Sequence, residues 1–207
     1  MNITKPYFVI ESDIKSSEIL KFIEQIGRTA YKSEDKITPD SARSFVALIV
    51  RNGHLAVIEH FSVTVRVICD RGVTHEIVRH RLASYCQEST RYCNYTQGKF
   101  GNEITVIKPV FWDIGSEQYK VWSEAMKNAE LAYCKLIELG ATPQEARSVL
   151  PNSLKTEIVM TMNLREWRHF FELRTASNAH PQMQEIARPL LDELKKRIPV
   201  IFDDIKY

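Results

Sequence analysis

Seven glycines are few for a chain of 207 residues, and none of them falls in a G-x-G-x-x-G or P-loop pattern. The nearest spacing is Gly98 with Gly101. A dinucleotide, if bound, is therefore not held the Rossmann way, by a glycine-rich turn opening a helix. Cysteine is scarce too: Cys69, Cys86, Cys93 and Cys134 make no C-x-x-C pair. The opening "MNITKPYFVIESDIK" lacks the apolar core of a signal peptide, and no later run is long enough to span a bilayer. Free thiols in a reducing, cytoplasmic setting are the expectation, with no membrane partner. A large excess of one charge is also missing: 28 Lys and Arg face 26 Asp and Glu, for a formal +2. A dedicated nucleic-acid binder carries a domain-wide basic excess, so any anion bound here is small and met by a local cluster.

What is present suits a globular protein. Hydrophobic content of 44% and charged content of 26% are ordinary. The length can bury a real core, and a single domain over residues 1–207 is the default. No repeat, low-complexity tract or linker interrupts it.

The apolar periodicity predicts strands at 7–10, 62–70, 104–108 and 156–163. Helices are predicted at 16–31, at 38–53 (Thr38 capping, Pro39 in the first turn, Gly53 stopping it) and at 74–83, with Ile77, Val78 and Leu82 inward. Further helices are expected from Ser116 to Leu139, at 142–150 behind a Thr142/Glu145 capping box, at about 164–174, and at 181–197, strained or broken near Pro189. Residues 84–102 are polar and aperiodic. Strands mixed with helices, without βαβ alternation, indicate an α+β fold: a mainly antiparallel sheet packed with helices, non-Rossmann.

Three blocks carry unusual chemistry. "RHRLASYCQESTRY" (79–92) crowds cations and hydroxyls, and Ser89, Thr90 and the backbone around them could cradle a phosphate beside Arg91. On a continuing helix Arg79 and Arg81 would point to different sides and serve two anions. "GHLAVIEH" (53–60) holds His54, Glu59 and His60, but its spacing matches neither H-E-x-x-H nor H-x-x-E-H, so metal is the weaker reading. "EARSVLP" (145–151) and "MNLREWRHFFELR" (162–174) place Arg147 and Arg174 at the ends of apolar segments, as a buried-edge cation with a fixed partner would be. Taken singly, each block is better explained by structure alone, as a solvated basic face or, at 53–60, as side chains anchoring the turn into the next strand.

Taken together, and in this order, the blocks resemble those of the flavin-dependent thymidylate synthases. The signature is Arg79-His80-Arg81, seven residues, then Ser89, followed by Arg91 and Tyr92. The resemblance covers roughly residues 54–186. It implies reductive methylation of deoxyuridylate (dUMP) to thymidylate, with carbon from methylenetetrahydrofolate, electrons from NADPH, and a bound FAD. By motif, Arg174 would be the catalytic residue against the uracil. Glu76, Arg79, Gln87, Glu88, Ser89, Thr90, Arg91 and Arg147 would hold dUMP with it. FAD would fall to His54, Ala56, Arg79, His80, Arg81, Gln87, Asn163, Arg165 and His169, with no metal. The resemblance also implies a homotetramer whose sites form at subunit interfaces.

The chain departs from the family pattern in four places. Cys86 stands where Asn is frequent, Ala56 where Ser or Thr is, Glu76 where Gln is, and His169 where some relatives have Asn. Two other classes stay open on the residues alone: a nucleotide- or RNA-binding module using the 79–92 cations, against which the near-neutral charge counts, and a metal hydrolase built on His54 and His60.

Overall fold

The computed structural model describes residues 1–207, the side chain of Lys99 apart. Its elements follow the apolar periodicity closely. The strands are β1 (Asn2–Thr4), β2 (Tyr7–Ile10), β3 (Ser62–Asp70), β4 (Ala83–Gln87), β5 (Thr105–Ile107) and β6 (Lys155–Asn163). The helices are α1 (Ser16–Thr29), α2 (Ser41–Arg51), α3 (Arg71–Ile77), α4 (Glu117–Glu138), α5 (Pro143–Ala146), α6 (Leu164–Arg174) and α7 (Pro181–Arg197). The fold is α+β, with a four-stranded sheet in the order β2-β3-β6-β4. Strands β3 and β6 run antiparallel: Arg71 N meets Leu154 O beyond one end, and Leu164 N meets Phe61 O beyond the other. A separate two-stranded pair, β1 with β5, is parallel, with Asn2 opposite Thr105 and Thr4 opposite Ile107.

Several boundaries differ from the sequence expectation, each for a local reason. Helix α2 begins at Ser41, three residues past the expected Thr38 cap, because the Thr38 backbone N–H donates to Ser41 Oγ in the turn ahead of the helix. Helix α3 begins at Arg71 because the Asp70 carboxylate accepts from Val73 N at 2.7 Å and caps it. It ends at Ile77, so Arg79 and Arg81 are not on a helix. Val78 and Leu82, expected to face inward, are exposed, while Ile77 is fully buried. The polar stretch after Leu82 contains strand β4, whose Ser84 and Cys86 face solvent. Helix α7 runs unbroken through Pro189.

Close contacts divide the chain into two compact units, and it passes between them several times. The first comprises Met1–Tyr7, Val67–Arg79 and Tyr85–Val159. Its core gathers Tyr95, Ile104, Val106, Trp122, Met126, Tyr133 and Leu154. Helix α4 turns its Trp122, Met126 and Tyr133 inward, and Gly140 (φ +91°) ends the helical run in a conformation that a side chain rarely adopts.

The second unit comprises Phe8–Arg66, His80–Ser84 and Met160–Tyr207. An aromatic cluster anchors it: Trp167 stacks on Phe171 at 5.5 Å, Phe171 meets Phe202 edge-on, and the Trp167 indole N–H donates to Val63 O at 3.0 Å. Burying such rings supplies roughly 2–3 kcal/mol each. Helices α1 and α2 pack closely at Gly27, where an added Cβ would fall 2.6 Å from the Phe45 ring. Among the described residues no helix is long and apolar enough to cross a membrane.

Candidate functional site

In the first unit, strand β4 delivers the polar stretch to its place. Glu88 N donates to Glu157 O at 2.8 Å, which continues the backbone contacts of β4 with β6 past Gln87. The Gln87 amide nitrogen donates to Thr74 Oγ1 (3.1 Å) and Thr156 Oγ1 (3.3 Å), two buried hydroxyls. Its amide plane is thereby fixed, and its carbonyl oxygen is the acceptor left to meet a partner. Both oxygens of Glu88 are engaged: Tyr95 OH donates to one at 2.9 Å and Lys155 Nζ to the other at 2.7 Å. Burial and the adjacent Glu88 push the Tyr95 phenol well above its ordinary range, so it stays a donor.

The chain then turns tightly. Tyr92 N and Cys93 N both donate to Ser89 O, while Arg91 N donates to Ser89 Oγ at 3.2 Å. Thr90 is buried, and Arg91 projects outward over the Tyr92 ring, 5.5 Å from its centre. Arg79, just past α3, is exposed, as is Arg147 after α5, while Glu76 is half-buried. The expectation of a buried-edge cation is thus wrong for Arg147. Glu145 does close the capping box on Thr142, accepting from its backbone N at 2.8 Å.

In the second unit, α6 sorts its residues by face. Asn163 Oδ1 caps the helix by accepting from Glu166 N at 2.8 Å. Leu164, Trp167, Phe170 and Phe171 turn inward, whereas Arg165 and His169 face solvent. Arg165 Nη1 lies 2.6 Å from Glu59 Oε1. His54 and Ala56 are exposed on the turn that leads to Glu59, and Arg81 is exposed beside His80.

A second constellation joins His80, Glu166 and Arg174. Arg174 donates Nε–H to His80 Nε2 at 3.0 Å, and His80 Nδ1 lies 3.3 Å from Glu166 Oε1. A guanidinium has no lone pair to offer, so His80 Nε2 must be the acceptor and its proton must sit on Nδ1. The ring is 4% exposed, wedged edge-on against Phe170 (5.0 Å) and His169 (5.6 Å). Burial, then the Arg174 charge, then His169 push its pKa down to about 4, so it is neutral at working pH. Burial also raises the Glu166 carboxyl above its usual range, with His169 opposing.

His80, Glu166 and His169 bring one possible ligand atom each within 4.8 Å of one another. The spacing would suit a cation, but the guanidinium on Nε2 and the proton on Nδ1 would not. Glu166 carried no signal in the functional blocks. Its legible trace is positional: an acid four residues before Phe170, on the apolar face of α6, needs a buried partner.

The family described as "Thymidylate synthase complementing protein" matches residues 14–200. A flavin-dependent thymidylate synthase of Pyrococcus horikoshii is 40% identical over 164 residues, covering 79% of this chain and 67% of that protein. One from Corynebacterium glutamicum is 31% identical over 213 residues, covering 94% and 82%. Among solved structures, a UMP/dUMP methylase, PolB from Streptomyces cacaoi bound with 5-Br dUMP, superposes with a TM-score of 0.78. It is 21% identical, with 98% of this chain and 96% of that one covered, and so shares the fold. The chain belongs to the flavin-dependent thymidylate synthase family.

Proposed function

We propose that this chain, acting as one domain over residues 1–207, is a flavin-dependent methyltransferase that converts dUMP to thymidylate. Methylenetetrahydrofolate gives the carbon and NADPH the electrons. The observation that carries the reading is Arg174, a permanent cation held by a neutral, buried histidine at the end of α6.

Methylation at C5 requires that carbon to become nucleophilic, which means negative charge spread over the uracil ring. A guanidinium cannot lose its proton at working pH, so Arg174 stabilises that charge throughout. Because His80 is neutral, the pair contributes one positive charge in a fixed plane.

The dUMP phosphate falls to Arg79, Arg91 and Arg147, which are exposed, and to N–H groups of the turn at Ser89 and Thr90. Gln87 and Glu76 complete the nucleotide set. Glu88 can stand beside an anion because Lys155 already neutralises it.

The residues fit FAD by donor chemistry. Arg81, Arg165, His54 and His169 are exposed cations or N–H donors suited to a diphosphate, and no glycine-rich turn is needed. Arg79, His80, Gln87, Asn163 and Ala56 complete the proposed set. When bound, the flavin supplies the hydride chemistry, while the protein supplies orientation and charge.

A cytoplasmic homotetramer completes the reading. Leu82 (73% exposed) and Tyr92 (79%) flank site residues with apolar surface that a second copy would cover. An absorbance spectrum of the purified protein tests the cofactor: a flavin band, or its recovery on adding FAD, is expected. Protein that neither carries nor takes up FAD would overturn the proposal.

A further inference from the structure

Glu166 lies within the 162–174 block, where the family resemblance gives it no role, and its Oε1 stands 3.3 Å from His80 Nδ1. The geometry points to Glu166 as a positioning residue that fixes the tautomer of His80 and, through it, the orientation of Arg174. The inference rests on the assignment of Arg174 to the uracil.

The chain of donors runs in one direction. Arg174 Nε–H can only donate, so it is accommodated only when His80 Nε2 carries a lone pair. A neutral imidazole isolated in a buried pocket would have two tautomers to choose from. One of them would set an Nε2–H against the Nε–H of Arg174 and expel the guanidinium. An acceptor at Nδ1 removes that choice, and Glu166 Oε1, 3.3 Å away, is that acceptor. The Glu166 side chain is 8% exposed, and its backbone N–H is tied by Asn163 Oδ1, so the first turn of α6 holds the carboxylate still.

The groups around His80 agree with this assignment. Arg174 and His169 oppose a second proton on the ring, and Phe170 closes one edge with no polar atom. Glu166 Oε1, 3.3 Å from Nδ1, is the acceptor that holds the single proton on that nitrogen. The arrangement is complete within one chain before any ligand arrives, so Arg174 is preorganised.

The test combines a spectroscopic and a kinetic arm on the FAD-loaded enzyme. In histidine-¹⁵N-labelled wild-type protein without substrate, His80 should show the Nδ1–H tautomer between pH 6 and 8. Glu166→Gln keeps an acceptor carbonyl and should retain kcat within about threefold. Glu166→Ala should mix the tautomers and lower kcat tenfold or more, with KM for dUMP changed by less than threefold. An Nε2–H tautomer in wild type would overturn the inference, and that measurement needs no variant to fold. Wild-type kcat in Glu166→Ala, or equal loss in Gln and Ala variants, would overturn it as well. Turnover surviving in Arg174→Ala would instead overturn the assignment on which the inference rests.

Discussion

Arg174 Nε sits 3.0 Å from His80 Nε2, a bond that joins the last residue of α6 to the centre of the Arg79-His80-Arg81 signature. The two lie 94 positions apart in sequence. The contact makes the orientation of a permanent cation depend on a neutral, buried ring.

Replacing that cation should be the most damaging single change. Arg174→Ala should lose at least about a hundredfold in kcat, since a charge-assisted contact made in the activated state is worth roughly 3 kcal/mol. FAD content and circular dichroism should persist, because Arg174 is half-buried and the aromatic core below it is unaltered. Unchanged turnover in this variant would refute its role.

Arg91 should behave differently. It is exposed, leaning on Tyr92, at the turn assigned to the phosphate. Arg91→Ala should raise KM for dUMP about tenfold or more and leave kcat within a few-fold, the signature of uniform binding lost. A fall in kcat alone, with KM unchanged, would place Arg91 elsewhere.

The thiols near this turn invite a covalent reading, but a flavin hydride route needs no enzyme nucleophile. Cys86 is exposed on β4, two residues ahead of Glu88, and Cys93 is half-buried. Cys86→Ala and Cys93→Ala should each keep substantial activity. Ser89→Ala should be impaired without being dead, since Ser89 Oγ accepts from Arg91 N and shapes the turn. A cysteine variant that binds FAD and dUMP but does not turn over would contradict this.

Acid should weaken the fold partly through His80. Its folded pKa is about 4 against an ordinary 6.5, so between those values the unfolded chain binds more protons. The His80 contribution is therefore complete above pH 6.5 and is lost as pH falls towards 4. Glu166, raised by burial, works in the opposite sense, losing its contribution as pH rises through its folded value. Thermal melts should show a shallower fall in Tm from pH 6.5 to 4 in His80→Asn than in wild type. Equal slopes would contradict a buried neutral histidine.

A change outside the site should separate stability from catalysis. Arg168 is buried, donates to both oxygens of Asp204 at 2.6 and 2.7 Å, and also reaches Ile201 O. Asp204→Ala removes the two-pronged partner and leaves the guanidinium with Ile201 O and, at 3.7 Å, Glu172 Oε1; it should cost about 1–3 kcal/mol in urea unfolding, with kcat of the folded enzyme unchanged. A loss below about 0.5 kcal/mol would show the pair to be dispensable.

Much of this was legible in the sequence where one face of an element is buried. Strand β6 alternates buried and part-exposed along its whole length, and α6 carries its apolar stripe within its expected limits. Legibility failed where apolar spacing did not decide the element. Val78 and Leu82 continue a helical spacing, yet α3 had already been started early by the Asp70 cap and had ended. Strand β4 escaped notice because Ser84, Cys86 and Gln87 give no apolar alternation. Cations and hydroxyls of the site could be read from their motifs. The partners that fix them, Glu166 for His80 and Lys155 with Tyr95 for Glu88, depend on packing that brings residues 86 and 67 positions apart together.

The most direct test is tritium release from C5-labelled dUMP by the FAD-loaded enzyme with NADPH and methylenetetrahydrofolate. Release that requires every one of these components, accompanied by thymidylate in equal amount, is the expected result. Flavin-loaded protein that binds dUMP yet releases no tritium above background would contradict the account.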